Sequence, residues 1–183
     1  MRSVVARKLL LESIGTGIPV IPPDAAGFYR QNCMVCFHHH GHRSGVLMRV
    51  HYRDEVEAFE VAWDGEVSEQ IVRSYGDKRR AVDNAACAIA LLLVREMTDF
   101  TGIEQSSTGS TIDYYLVPQG QDDTLIFNRA ARLEVSGILR ETEDNTVEDR
   151  VRSKLRRLKP EGGLPDFIVI VEFSKPWSKM VSA

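Results

Sequence analysis

The sequence contains few cysteines. Only 3 of its 183 residues are cysteine, namely Cys33, Cys36 and Cys87. An odd and sparse set argues against the disulfide frameworks that staple small secreted domains together. We therefore expect a protein of a reducing compartment, with the cytoplasm as the default location.

The sequence also lacks a long apolar run. No stretch approaches the roughly 18 consecutive apolar residues of a membrane-spanning helix, and the apolar runs within residues 1–15 are too short for a signal peptide. The lack of a long apolar run predicts a protein without a membrane segment. Internal repeats and low-complexity tracts are absent too.

No charge of one sign dominates the composition. The formal net charge is −3 and the isoelectric point is about 6.0, so the chain as a whole has no electrostatic bias toward nucleic acid. A contact with DNA would have to use a local basic patch. With 43% hydrophobic and 27% charged residues, the composition is typical of one globular domain with a sizeable core.

Punctuation by glycine and proline divides this single domain, residues 1–183, into three segments. Residues 1–23 form an N-terminal arm, read as a short amphipathic helix or a loose segment. Residues 24–77 predict a helix and a β-hairpin. Residues 78–183 predict a core with the order helix, strand, strand, strand, helix, strand. Such a set is buried most readily as a mixed central sheet flanked by helices, so we predict an α/β fold.

The core elements are predicted from their hydrophobic periods. RRAVDNAACAIALLLVREMTDF has apolar residues at three- and four-residue steps, and Glu96 extends that stripe. TIDYYLVP and TLIFNRAARLEVSGIL alternate as half-buried strands do, and VEDRVRSKLRRL has the period of a helix. DFIVIVEFSKP is almost unbroken in its apolar character, which is typical of a central strand covered on both faces.

Three acidic residues fall on inward-facing positions of these elements, namely Glu96, Asp113 and Glu134. A carboxylate buried without a partner costs several kcal/mol, so these residues need ion pairs, hydrogen bonds or a metal. Opposed side chains on paired strands lie about 5 Å apart, and Asp113 and Glu134 could then bind one cation. Ligand sets made only of oxygen favour Mg²⁺ or Mn²⁺.

The order of elements and the acidic motifs resemble the PD-(D/E)xK superfamily of phosphodiesterases, which share the restriction-endonuclease-like fold. The resemblance covers roughly the last hundred residues. It implies that the helix contributes Glu96, that Asp113 in STGSTIDYYL binds metal, and that Glu134 begins the Glu-x-Lys motif of the third strand. Ser136 stands where that motif has its lysine.

The absent lysine bears directly on activity. In the family, this lysine orients or activates the attacking water beside the metal ions. Ser136 can donate a hydrogen bond but has no positive charge. Diverged members supply the basic group from the following helix, which here points to Lys154 or Arg150.

The resemblance implies a cytoplasmic, Mg²⁺- or Mn²⁺-dependent DNA nuclease, with Glu96, Asp113, Glu134, Ser136 and Lys154 as site residues. By analogy, such a protein works with a protein partner or as a homo-oligomer, within a DNA-processing or defence assembly. A second hypothesis is a catalytically degenerate protein of the same fold that serves as an interaction or nucleic-acid-binding subunit. A separate structural alternative is that Asp113 and Glu134 are paired with arginines such as Arg132 at a sheet edge and do no chemistry.

The segment CMVCFHHHGH offers a zinc alternative, because Cys33, Cys36 and His40 fall on one helix face. We favour instead the interpretation that the cysteines pack as small apolar groups, because structural zinc ligands usually come from two separate knuckles.

The segment RVRSKLRRLKP supplies a local basic face. Arg150, Lys154 and Arg157 are the nucleic-acid-binding residues we predict there, through contacts to phosphate that do not depend on base sequence. The alternative is an exposed helix whose charge is neutralised by neighbouring acids.

Overall fold

The fold is described from a computed structural model, in which residues 6–120, 129–159 and 162–183 are placed well enough to describe. The described strands are β1 (Arg7–Leu10), β2 (Val46–Tyr52), β3 (Glu55–Ala62), β4 (Phe100–Gln105), β5 (Tyr114–Pro118), β6 (Ala131–Ile138), β7 (Asp166–Glu172) and β8 (Trp177–Ser182). The α-helices are α1 (Pro23–His38), α2 (Glu69–Ser74), α3 (Lys78–Met97) and α4 (Val147–Arg157). The predicted α/β class is confirmed.

All the described strands belong to one mixed sheet with the order β1-β3-β2-β8-β7-β6-β5-β4. From β4 to β6 the neighbours are antiparallel, whereas β6 and β7 are parallel and are connected through α4. The segment TLIFN, which we placed at the start of the β6 strand, lies outside the described residues.

The N-terminal arm differs from its prediction. Residues Arg7–Leu10 form β1, which pairs in parallel with β3 and is followed by a 3-10 helix over Leu11–Gly15. Leu9, Leu11 and Ile14 are each about 1% exposed. Burial of these side chains in the main core favours an ordered strand over a loose arm.

One strand beyond the predicted core connects the two halves of the sequence. β8 is antiparallel to β7 and parallel to β2, so the N-terminal hairpin continues the sheet of the core. β7 consequently has a strand on each side and is buried along its length, as its apolar run predicts.

The two longest core helices cover opposite faces of the sheet near β6. Leu133 and Val135 belong to the large hydrophobic cluster that contains the apolar face of α3. Ile138 lies instead in a smaller cluster with Val147 and Val151 of α4. Because side chains alternate along a strand, Glu134 and Ser136 face α4.

The helices begin at residues that cap them. Asp77 accepts a hydrogen bond from the backbone N–H of Arg80 at the start of α3, and Thr146 accepts one from Asp149 N–H at the start of α4. Within the described part of the chain, no helix combines the length and the apolar character needed to cross a membrane.

Candidate active site

A cleft opens where β5 and β6 part. The two strands pair only from Tyr114–Leu133 to Leu116–Ala131. From Glu134 onward, β6 pairs with β7 on one side, and no described strand pairs with its other side. The cleft lies along this unpaired side of β6 and has a volume of about 630 Å³. Its walls are formed by α3, the β5–β6 edge and α4, through Lys78, Arg79, Val82, Asp83, Cys87, Asp113, Val135, Ser136, Gly137, Leu139, Arg150 and Lys154.

Asp113 lies at this edge, directly before β5. Its carboxylate Oδ2 accepts a hydrogen bond of 2.7 Å from the backbone N–H of Val135. Its own N–H donates to Leu133 O at 2.9 Å, and its carbonyl accepts from Ser106 N–H at 2.8 Å. The side chain therefore satisfies a backbone donor that a continuing β5 strand would have bound, and it is held in a fixed position at the floor of the cleft.

Glu134 is buried beside Asp113, with 7% of the residue exposed. Its Oε1 accepts a hydrogen bond from Lys154 Nζ in α4. The pKa of Glu134 is raised to about 7, first by burial and then by the negative charge of Asp113, while Lys154 acts in the opposite direction. The carboxyl groups of Asp113 and Glu134 are therefore neighbours, with Asp113 lining the cleft and Glu134 buried beside it.

Lys154 and Arg150 both extend from α4 to the strand that carries Glu134. Lys154 supplies an ammonium group to Glu134, and Arg150 Nη1 donates to Ser136 Oγ at 2.6 Å and to Gly137 O at 2.8 Å. Arg150 Nε also donates to Asn145 Oδ1 at 2.8 Å. Ser136, which stands where the resemblance expects a lysine, thus accepts a hydrogen bond from Arg150, and Lys154 extends to Glu134 from α4.

Arg157 does not line the cleft. It lies near the end of α4, exposed, about two turns beyond Arg150.

The assignment of Glu96 to this pocket is corrected by the structure. Glu96 lies near the C-terminal end of α3, where its carboxylate contacts Arg7 Nη2 and Arg95 Nη2, each at 3.2 Å. The rise of a helix places it about 20 Å along α3 from Asp83, which does line the cleft. Glu96 does extend the apolar stripe of α3, but it lies at the C-terminal end of the helix, whereas the cleft is lined by residues near the N-terminal end.

Asp83 is the acidic residue of α3 that our sequence analysis missed. Burial raises its pKa, and the nearby Asp113 acts in the same direction, whereas Arg79, Arg150 and Lys154 lower it. Asp83 and Cys87 are four residues apart and both face the cleft. The available signal was an acid one position outside the apolar stripe of α3.

Arg132 has a different acidic partner from those that the structural alternative gave it. It is 1% exposed, and its Nε and Nη2 donate to the two carboxylate oxygens of Asp166 at 2.6 and 2.7 Å. The basic partner of Glu134 is Lys154.

Two carboxyl groups, those of Asp113 and Glu134, could hold a cation of the magnesium type. Mg²⁺ usually binds through one or two carboxylates and retains several waters, so this donor set and an open cleft fit that ion. In the described ranges, no three His, Cys, Asp or Glu residues are grouped closely enough to form a complete protein-only site.

The two cysteines of the zinc alternative lie elsewhere, in α1. Cys33 and Cys36 are buried, and Cys33 Sγ contacts Ala85 O at 3.5 Å.

Comparison with protein-family models, with curated proteins and with solved structures finds no match.

Proposed function

We propose that this chain is a metal-dependent phosphodiesterase of the PD-(D/E)xK type that cuts DNA. The observation that supports this most directly is the convergence of Asp113, Glu134 and Lys154 at the open edge of β6. Two carboxylates and one amine are the groups that the resemblance requires. Here the amine comes from α4 and not from the strand.

In this proposal Asp113 and Glu134 hold a Mg²⁺ or Mn²⁺ ion. When bound, the ion stabilises negative charge on the scissile phosphate and acidifies a water molecule. The reaction is hydrolysis, in which a water oxygen bonds to phosphorus, one P–O ester bond breaks, and a proton lost by the water is balanced by one that the leaving oxygen gains.

Lys154 contributes the positive charge that Ser136 lacks. Its ammonium lies against Glu134 and at the wall of the cleft, so it can orient the attacking water or donate to a phosphate oxygen. Arg150, held by Ser136, Gly137 and Asn145, presents a guanidinium to the same space and can bind phosphate. Its fixed position reduces the entropy lost on binding.

A second candidate function is favoured by the ion pair itself. Lys154 already engages the carboxylate of Glu134, and a protein in which this pair is permanent would bind nucleic acid without cutting it. Such a protein would serve as a subunit of a larger DNA-processing or defence assembly. For either candidate function, we propose that the protein is located in the cytoplasm. We also propose that it binds a protein partner or a second copy of itself.

The test is a cleavage assay with plasmid and single-stranded DNA in Mg²⁺, Mn²⁺ or EDTA. The compared proteins are the wild type, Asp113→Asn, Glu134→Gln and Lys154→Met. Loss of a metal-binding or proton-handling group should slow cleavage about 100-fold or more. Glu96→Gln is the matched control, because Glu96 lies outside the cleft and should retain activity within about twofold.

Metal-dependent cutting that the three cleft variants lose and Glu96→Gln keeps would support the nuclease. If the wild type cuts neither substrate in either metal but retards DNA on a gel, the binding subunit is the better description. Equal activity in the wild type and Glu134→Gln would contradict the proposed site.

A further inference from the structure

Two cations at the start of α3 face the cleft from the side opposite α4. Lys78 and Arg79 both line it, whereas the next residue, Arg80, does not. The cleft thus has a basic group on each of its helical walls, with Asp83 and Asp113 between them. The nucleic-acid-binding residues predicted from the sequence, Arg150, Lys154 and Arg157, all lie on α4.

The charge of Lys78 is not neutralised by an acid among the described residues. Its Nζ lies 3.4 Å from His39 Nε2, and an ammonium group can only donate, so the imidazole accepts in its neutral form. Burial and the charge of Lys78 both lower the pKa of His39, which favours that neutral form. His39 therefore holds Lys78 in place and leaves its positive charge available.

Arg79 is similarly available. Within the part of the chain that the structure describes it makes no ion pair, in contrast to Arg73, whose guanidinium is 2.7 Å from Glu69. The side chain of Asp83, one helical turn further along, lies within the influence of Arg79 as well as of Arg150 and Lys154, since all three lower its pKa against the effect of burial. The charges of both walls therefore act on the same part of the cleft.

A ligand that satisfies both walls must carry more than one negative charge along its length. Lys154 and Arg150 are suited to the phosphate over the carboxylates, and Lys78 and Arg79 remain for another. A nucleic-acid strand offers such a series, because every nucleotide along it contributes one phosphate. Contacts of this kind position a strand without reading its bases.

We propose that Lys78 and Arg79 bind the phosphate next to the one that is cut, so that a single nucleic-acid strand crosses the cleft from α3 to α4. The proposal rests on the proposed function and adds the second wall of its binding site. It identifies the ligand as a polynucleotide phosphate backbone and predicts binding that is independent of sequence.

The experiment measures binding apart from cleavage. Fluorescence anisotropy follows a labelled single-stranded oligonucleotide in EDTA over a series of salt concentrations. The double variant Lys78→Ala/Arg79→Ala is expected to bind about tenfold more weakly or worse. Its plot of log affinity against log salt should be shallower by roughly 0.7 for each phosphate that the variant no longer neutralises.

A matched control removes the same charge from the outside of the cleft. Arg73→Ala/Arg80→Ala changes two exposed residues that do not line it, and it should keep the slope and the affinity of the wild type within about twofold. All four substituted side chains are exposed, so thermal unfolding of both variants should match the wild type.

The outcomes separate this inference from the nuclease proposal. A cleft variant that binds with unchanged slope overturns the inference even if the protein cuts DNA, and so does a control that loses as much affinity. A wild type that binds no oligonucleotide also overturns it. A specific loss of affinity in the cleft variant, together with no cleavage in any metal, upholds the phosphate wall and rejects the nuclease.

Discussion

The ionisation of Glu134 couples the stability of the fold to pH. Its pKa is raised from an ordinary 4.5 to about 7 by burial and by Asp113, so the folded protein retains a proton that the unfolded chain releases. This group therefore stabilises the fold fully below about pH 4.5, and its contribution is lost as pH rises through about 7. Glu134→Gln removes that titration.

We expect the stability of Glu134→Gln relative to wild type to increase by about 2 kcal/mol between pH 5 and pH 8, from the size of the shift. The measurement is urea-induced unfolding of both proteins at the two pH values. If the two proteins differ in unfolding free energy by the same amount at pH 5 and at pH 8, the pKa of Glu134 is not raised by folding.

Individual site residues differ in how far the sequence could identify them. Asp113 and Glu134 could be predicted as neighbours, because Glu134 lies on β6, Asp113 directly precedes β5, and these two strands pair. The placement of Glu96 in the pocket was wrong, and Asp83 was not predicted to line the cleft. The apolar stripe of a helix shows which face is buried, but it does not show which end of the helix lies at the cleft. Only the register of α3 on β6 decides that.

Gly137 fixes the approach of α3 to β6. A Cβ atom at this position would lie 2.6 Å from Val82 Cγ1 and 2.7 Å from Val82 O, so the helix lies on the strand with no room for a side chain. Asp83, which follows Val82, depends on that close approach for its place in the cleft. We expect Gly137→Ala to destabilise the protein by about 1–3 kcal/mol through overpacking.

Gly27→Ala is the control for that substitution. Gly27 lies in α1 and an added Cβ would meet nothing within 4 Å, so alanine there should stabilise by up to about 1 kcal/mol. Chemical denaturation of the three proteins measures both effects. A Gly137→Ala protein as stable as Gly27→Ala would mean that α3 and β6 are not in close contact.

The helices α3 and α4 could be predicted from the sequence, whereas the strands β1 and β8 could not. α3 and α4 have long apolar periods and were predicted close to their observed bounds. β1 has four residues, too few for a period, and β8 alternates through Ser178 and Met180, of which only the methionine is apolar. These strands are defined by their neighbours in the sheet, and pairing partners far apart in sequence are not visible in a local pattern.

The sheet also determines how the two halves of the chain depend on each other. β2 and β8 pair in parallel, and the main hydrophobic cluster contains Phe59 of the hairpin as well as Leu133 and Val169 of the core. Breaking the hairpin away would expose the edge of β8 and part of the apolar surface covered by that cluster. The N-terminal segment, for which the resemblance offers no counterpart, is therefore part of the structure that supports the cleft.

The two tryptophans lie in different halves of the sequence, although the ring of Trp177 also lies 5.3 Å from that of His51 in β2. Trp63 follows the hairpin and Trp177 begins β8, so Trp177→Phe leaves a reporter of the N-terminal half and Trp63→Phe a reporter of the core. We expect both single-tryptophan proteins to unfold in urea in one transition, each with fluorescence and circular dichroism midpoints that coincide. Adding Phe59→Ala, which empties a fully buried site, should destabilise both by about 3–5 kcal/mol. If Phe59→Ala shifts only the transition seen by Trp63, the hairpin and the core unfold independently.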